Sequence, residues 1–190
     1  MNQTDYWKNL PVEEYELSKD HPHRQAILDE LKLLQTFASL LEVGCYSGFN
    51  LQRIQEIYPG VSLAGCDVNT GAIKRARELL PNATFKVGDA MLLPYEDKSF
   101  SVAIFDAVLM YVEDIQVALN EADRVVRDSI IIVDWFSETE KRVGHSIARN
   151  YSDLLKKLRY LVKEVKLTEK TWPSSKNWLE NGYIFIGTKP

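Results

Sequence analysis

The chain of 190 residues has no apolar run near the ~20 residues that cross a bilayer, and its first stretch, MNQTDYWKNLPVEEYE, has no apolar core of signal-peptide type. A soluble, cytoplasmic protein without a membrane partner is expected. Two cysteines cannot build a disulfide framework, and Cys45 and Cys66 both fall in or beside strand-like runs, where a reduced thiol packs as a small hydrophobe. A basic excess is missing too: 23 Lys and Arg stand against 27 Asp and Glu, for a net charge of −4. Without a cationic face a large nucleic-acid surface is disfavoured, because neutralising phosphates supplies much of such affinity. Repeats, low-complexity tracts and Pro/Gly/Ser-rich linkers are absent, which points to one domain over 1–190.

What is present is alternation. Apolar residues recur at helical spacing from His23 towards Phe37. Then SLLEV, VSLAGCDV, ATFKVGDA, SFSVAIFDAVLMY and SIIIVDWF read as strands, separated by the helical stretches FNLQRIQEIY, TGAIKRARELL and IQVALNEADRVV. After Phe136 the pattern predicts a helix around Ile147 to Leu158, strands in YLVKEVKLTE and GYIFIGTK, and a loop in KTWPSSKNWLEN. This predicts an α/β fold: a Rossmann-like, doubly wound sheet of about seven strands with helices on both faces. It is mostly parallel, with an antiparallel C-terminal edge. Residues 1–38 would form an N-terminal cap and helix, 39–136 a cofactor-binding core, and 137–190 an acceptor-side segment with the last two strands.

Ligands in such sheets bind at the carboxyl ends of the strands. There the chain places EVGCYSG, whose Gly44 and Gly48 let backbone approach a ligand at the start of a helix. Asp67 closes the second strand, at the separation from Gly44 that suits hydrogen bonds to ribose hydroxyls. Glu42, Asp89 and Asp106 close three more strands, so four acids share one sheet edge.

This arrangement resembles the class I S-adenosylmethionine-dependent methyltransferases over roughly Leu40 to Phe136. EVGCYSG corresponds to the first motif, GCDVN to the ribose motif, and DRVVRDSIIIVDW to the fifth-strand block. DAMLLPYEDKSF is similar to the branch that methylates small molecules, the type 11-like group. The resemblance implies S-adenosyl-L-methionine as cofactor and S-adenosyl-L-homocysteine as product. Glu42, Gly44 and the turn residues Cys45, Tyr46 and Gly48 would hold the methionine end. Asp67 would take the ribose and Val68 the adenine face. Asp89 and Ala90 would meet the adenine edge, and Phe105 or Asp106 the amino group or the acceptor. Three positions depart from the family pattern. Tyr46 replaces the frequent middle glycine, with its ring expected in the pocket; Ser101 replaces an acid; and the Pro-Gly-Gly before the fifth strand is missing, so a shorter loop is expected there.

Signatures of DNA methylation are absent: there is no N/D-P-P-Y/F and no Pro-Cys at the end of strand four. A small-molecule acceptor is expected, apolar or aromatic if the outlying Tyr6, Trp7, Tyr15, Trp135, Phe136, Tyr151, Trp172 and Trp178 surround it rather than pack on one another. The candidate catalytic residues are His145, Tyr111 and His23. His21 and His23 have helix capping as a competing role, and His145 and Tyr111 have packing. Asp106 and Asp134 suggest a shared cation, but no third oxygen ligand accompanies them, and no metal is expected. Two other readings remain open. One is a methyltransferase-like partner subunit without catalysis; the other is a nicotinamide-dependent oxidoreductase, although GCYSGF is not G-x-G-x-x-G. Either a monomer or a homodimer is compatible with the sequence.

Overall fold

The computed structural model describes residues 3–13, 19–34 and 36–190. Its centre is a seven-stranded sheet in the order β3-β2-β1-β4-β5-β9-β8. The strands are β1 (Ser39–Val43), β2 (Ser62–Asp67), β3 (Thr84–Val87), β4 (Phe100–Asp106), β5 (Val126–Trp135), β8 (Leu161–Lys166) and β9 (Gly182–Thr188). The strands β1 to β5 are parallel, and β9 runs antiparallel to both β5 and β8. The antiparallel C-terminal strand is therefore flanked on both sides, and β8 stands outside it.

Period-two alternation along the strands builds two apolar layers. From β4, Val102 and Ile104 face a cluster containing Ile27, Leu51 and Ile73. Ala103 and Phe105 face the opposite cluster, with Leu119, Ala122 and Leu155. Helices α2 (His23–Leu31), α3 (Phe49–Ile57) and α4 (Thr70–Leu79) thus cover one face, while α5 (Ile115–Val125) and α6 (Tyr151–Lys157) cover the other. Starts of three helices are written in side chains: Asn69, Asp114 and Asn150 accept backbone N–H groups of Ala72, Val117 and Asp153. Val125, the end of α5, is followed directly by Val126 of β5, so the missing Pro-Gly-Gly leaves no loop.

Several elements differ from the sequence expectation. The first helix ends at Leu31 rather than near Phe37. Strand four stops at Asp106, and Leu109–Tyr111 form a 3-10 turn instead of continuing it. Ile147 lies in a hairpin, β6 (Lys141–Val143) with β7 (Ser146–Ala148), and the helix starts only at Tyr151. Gly144 takes a φ of +60° at the hairpin tip, a conformation natural to glycine. Two short helices were not expected: α1 (Gln3–Asn9), and α7 (Lys176–Asn181) inside the segment read as a loop.

Candidate active site

Parallel register brings the ends of the strands together: Val43 lies beside Cys66 and Phe105, Asp67 beside Val87, and Asp106 beside Val133. A cavity of about 300 Å³ opens over this edge. Asp67, Asp89 and Asp106 line it, together with Gly44, Tyr46, Val68 and Ala90. Nine of the sequence-predicted residues thus meet in one place once His23 and Tyr111 are added.

The glycine turn is held to the neighbouring strand by N–H groups of Gly44 and Cys45, which donate to the Cys66 carbonyl at 2.7 and 3.1 Å. Gly44 has a φ of +72°, and a Cβ there would lie 2.2 Å from Cγ2 of Val108. Tyr46, in the place of the frequent middle glycine, itself takes a positive φ of 46°. Its N–H donates to Asp67 Oδ2 at 2.8 Å, and its hydroxyl lies 3.2 and 3.1 Å from the carbonyls of Leu10 and Pro11. Asp67 Oδ1 accepts from Asn69 N–H at 2.8 Å, and burial pushes its carboxyl upward against these bonds. Asp89 accepts from Met91 N–H at 2.9 Å.

Beneath the turn lies a buried polar knot. Asn50 Nδ2 donates to Glu42 Oε1 at 2.6 Å and to Asp106 Oδ2 at 2.9 Å, while its Oδ1 accepts from Arg24 Nη1 at 2.7 Å. His23 Nε2 donates to Asp106 Oδ2 at 2.7 Å. Burial pushes Glu42 up to about 8, outweighing the bond from Asn50. Burial acts the same way on Asp106, but His23, Arg24 and Asn50 overcome it and hold that carboxyl down at about 2. Glu42 Oε2 and Asp106 Oδ1 are buried and find no hydrogen-bond partner among the described residues. A buried acceptor left unpaired is costly, so these two oxygens fit a cationic N–H donor such as the ammonium of a methionyl group.

Above the strand ends the walls are aromatic. Trp172 and Trp178 stack at 3.8 Å with a 12° interplanar angle, and Trp7 meets Tyr111 at 5.0 Å. All four line the cavity, and so does His21. His21 and His23 approach through their Nδ1 atoms at 2.5 Å, and both rings pack on Trp172.

Some sequence candidates lie elsewhere. Phe105 is fully buried in the apolar layer beside α5, because its place in the alternation turns it away from Asp106. Gly48 is the left-handed residue opening α3 and does not line the main cavity. Glu42 and Cys45 face a small recess behind it, and burial pushes the Cys45 thiol up. His145 is exposed near the tip of the β6–β7 hairpin and is not among the lining residues, since the hairpin carries it outward. Tyr111 does line the cavity, hydrogen-bonded to Ser146, with burial raising its phenol. Asp134 is turned to backbone, accepting from Met110 and Trp135 N–H groups, and burial pushes it up to about 7. The described residues hold no group of three His, Cys, Asp or Glu able to bind a metal. Among the outlying aromatics, Tyr151 belongs to the core, Phe136 packs against it, Tyr6 is largely exposed, and Tyr15 lies outside the described residues.

Sequence reasoning missed Asn50 and Arg24. Both sit in amphipathic helices, where a polar residue between apolar ones reads as solvent-facing. The available signal was position: Asn50 occupies the first turn of the helix after the glycine bend, level with the strand ends.

Residues 41–133 match the family model for a methyltransferase domain. The chain is 30% identical over 129 residues to 2-methyl-6-phytyl-1,4-hydroquinone methyltransferase of Synechocystis sp., covering 65% of this chain and 40% of that protein. It is 34% identical over 82 residues to demethylmenaquinone methyltransferase of Streptomyces griseus, covering 42% and 36% respectively. The chain therefore spans less than half the length of these relatives. In fold it is similar to a SAM-dependent methyltransferase from Aquifex aeolicus, with a TM-score of 0.71 at 14% identity over 96% of this chain and all of that one. No helix among the described residues is long and apolar enough to cross a membrane. In its strand order, its glycine turn and these matches, the chain resembles the class I S-adenosylmethionine-dependent methyltransferases, with residues 41–133 matching a methyltransferase domain.

Proposed function

We propose that this chain transfers a methyl group from S-adenosylmethionine to a small, uncharged, ring-bearing acceptor. One observation carries the reading: two buried carboxylate oxygens, Glu42 Oε2 and Asp106 Oδ1, stand without partners beside a glycine turn at the sheet edge. They would accept from the ammonium of the cofactor, with Gly44 giving the methionine close access to backbone. Asp67 would receive the ribose hydroxyls with its remaining lone pairs. Val68, Asp89 and Ala90 would hold the adenine. When bound, the cofactor supplies an electrophilic methyl, whose bond to sulfur breaks as the acceptor's electron pair forms the new bond, leaving a thioether.

The protein's own part is positioning and exclusion of water, which can supply much of the acceleration in such a displacement. The tryptophan walls suit a flat apolar acceptor, and the names of the hydroquinone and demethylmenaquinone relatives favour a ring. The chain works in this reading as one domain, with 39–136 holding the cofactor and the flanking segments covering the acceptor. A cytoplasmic monomer or homodimer acting without DNA is the matching setting.

Calorimetry with S-adenosylmethionine and S-adenosylhomocysteine tests the cofactor site. Binding should weaken by about 1–3 kcal/mol in Asp67→Ala, the scale of hydrogen bonds to a charged group. No heat with either compound would favour the partner-subunit reading instead.

A further inference from the structure

Two histidines with only three in the whole chain meet at the cavity wall, and the distances order them. Asp106 Oδ2 lies 2.7 Å from His23 Nε2, and His23 Nδ1 lies 2.5 Å from His21 Nδ1. His23 is 4% exposed, whereas His21 is half-buried and lines the cavity. A carboxylate cannot donate, so His23 carries a proton on Nε2. In its neutral form it then offers a lone pair at Nδ1. That lone pair requires the proton of His21 to sit on Nδ1, which leaves His21 Nε2 bare.

We propose that His21 is the general base that takes the acceptor's proton, and that His23 and Asp106 are positioning residues that fix its tautomer and draw the proton inward. This rests on the methyl-transfer reading. As the acceptor oxygen or nitrogen forms its bond to the methyl carbon, its proton passes to His21 Nε2. The proton on His21 Nδ1 moves to His23 Nδ1. The positive charge ends on His23, beside the Asp106 carboxylate, and His21 is neutral again with its proton on Nε2. The backbone N–H of His23, 3.4 Å from His21 Nδ1, faces the lone pair this leaves.

Two further facts agree with that direction of travel. Burial, His23 and Arg24 hold the His21 imidazolium down at about 4, so His21 resists keeping the charge itself. Such a weak base is still adequate, because the acceptor becomes strongly acidic only as the new bond forms. Trp172 packs on both rings, at 4.7 Å from His21 and 4.4 Å from His23, and holds them face to face along the line of transfer. Arg24 Nη1, 3.6 Å from Asp106 Oδ2, is the other cation near the relay.

Nitrogen-15 NMR of the imidazoles in the S-adenosylhomocysteine complex reads the relay without any acceptor. In mildly alkaline solution His21 should bear its proton on Nδ1 and His23 on Nε2. On acidification the first proton taken up should leave His21 neutral but moved to the Nε2 tautomer, with His23 doubly protonated. Asp106→Asn should weaken that uptake at least about tenfold, the size of losing an adjacent opposite charge. A His21 that is Nε2-protonated from the start, or becomes the imidazolium first, overturns the relay even if Asp106→Asn fails to fold. Calorimetric heat with S-adenosylhomocysteine but without the tautomer exchange would overturn the relay and leave the cofactor site standing. Absence of heat would remove the cofactor reading, and the base role with it.

Discussion

Glu42 is the residue whose chemistry depends most on what occupies the site. Burial disfavours its charge and pushes its carboxyl from the ordinary 4.5 up to about 8 in the fold. The folded state therefore holds the proton more tightly. That contribution to stability is whole below 4.5 and drains away as pH rises to about 8, at about 1.4 kcal/mol per pH unit. Asp134 acts in the same sense between 3.8 and about 7. Cofactor-free protein should thus melt at progressively lower temperature across this range, and Glu42→Gln should flatten the decline. A methionyl ammonium favours the carboxylate, so binding near neutral pH should expel a proton. Calorimetry in buffers of different ionisation enthalpy should show close to one proton released by the natural protein and none by Glu42→Gln.

Gly44 makes a second residue-scale case. Its positive φ and the 2.2 Å approach of Val108 leave no room for a methyl group. Gly44→Ala should weaken S-adenosylhomocysteine binding at least about tenfold through strain of a few kcal/mol. Adding Val108→Ala should recover part of the loss, since it removes the clash and leaves the dihedral strain. The four strand-end acids and this glycine were legible in the sequence because strand ends and turns carry local signatures. Phe105 was misassigned to the site because adjacent residues on a strand face opposite sides, and the choice between Phe105 and Asp106 depends on register. His145 failed for another reason: a hairpin of three-residue strands, with β6 wholly exposed, shows no apolar alternation to read.

Among the elements, the two that cover the cavity come from opposite ends of the chain. The N-terminal segment is tied down by Asn69 Nδ2, which donates to the carbonyls of Trp7 and Leu10, and by the Tyr46 hydroxyl. Tyr46→Phe removes one of these ties, at about 1 kcal/mol. Hydrogen exchange of residues 3–13 should accelerate in that variant while the strands stay protected. The other cover is the segment between β8 and β9, anchored by the Trp172–Trp178 stack, a kind of contact worth about 0.5–1.5 kcal/mol beyond its area. Trp178→Ala should raise KM for the acceptor several-fold and leave cofactor affinity nearly unchanged, as steady-state kinetics and calorimetry would separate. Neither cover was visible as an element in the sequence. Helices of six and seven residues are too short to display a period and hold their shape through tertiary contacts.

For the molecule as a whole, the parallel, doubly wound arrangement of the strands was the most readable feature. Alternating strands and helices at close spacing admit few other arrangements. The antiparallel C-terminal end was readable too, but which of the last two strands lies against β5 was not, since pairing between β5 and β9 joins residues 47 to 59 positions apart. Both apolar layers lean on the same sheet. Heat should therefore unfold the protein in one transition, followed by calorimetric scanning. S-adenosylmethionine at a hundredfold over its Kd should raise that transition by about 5–10 °C.

Strand β9 has a consequence for biosynthesis. Residues 182–188 slot between β5 and β8 and cover Ile130 to Val133 along their whole length. A nascent chain leaving the ribosome thus carries a bare, aliphatic strand edge until residue 188 emerges, and such edges recruit other chains. Premature stop codons before Gly182 should send the product into inclusion bodies, although every acid and glycine of the pocket has already been translated.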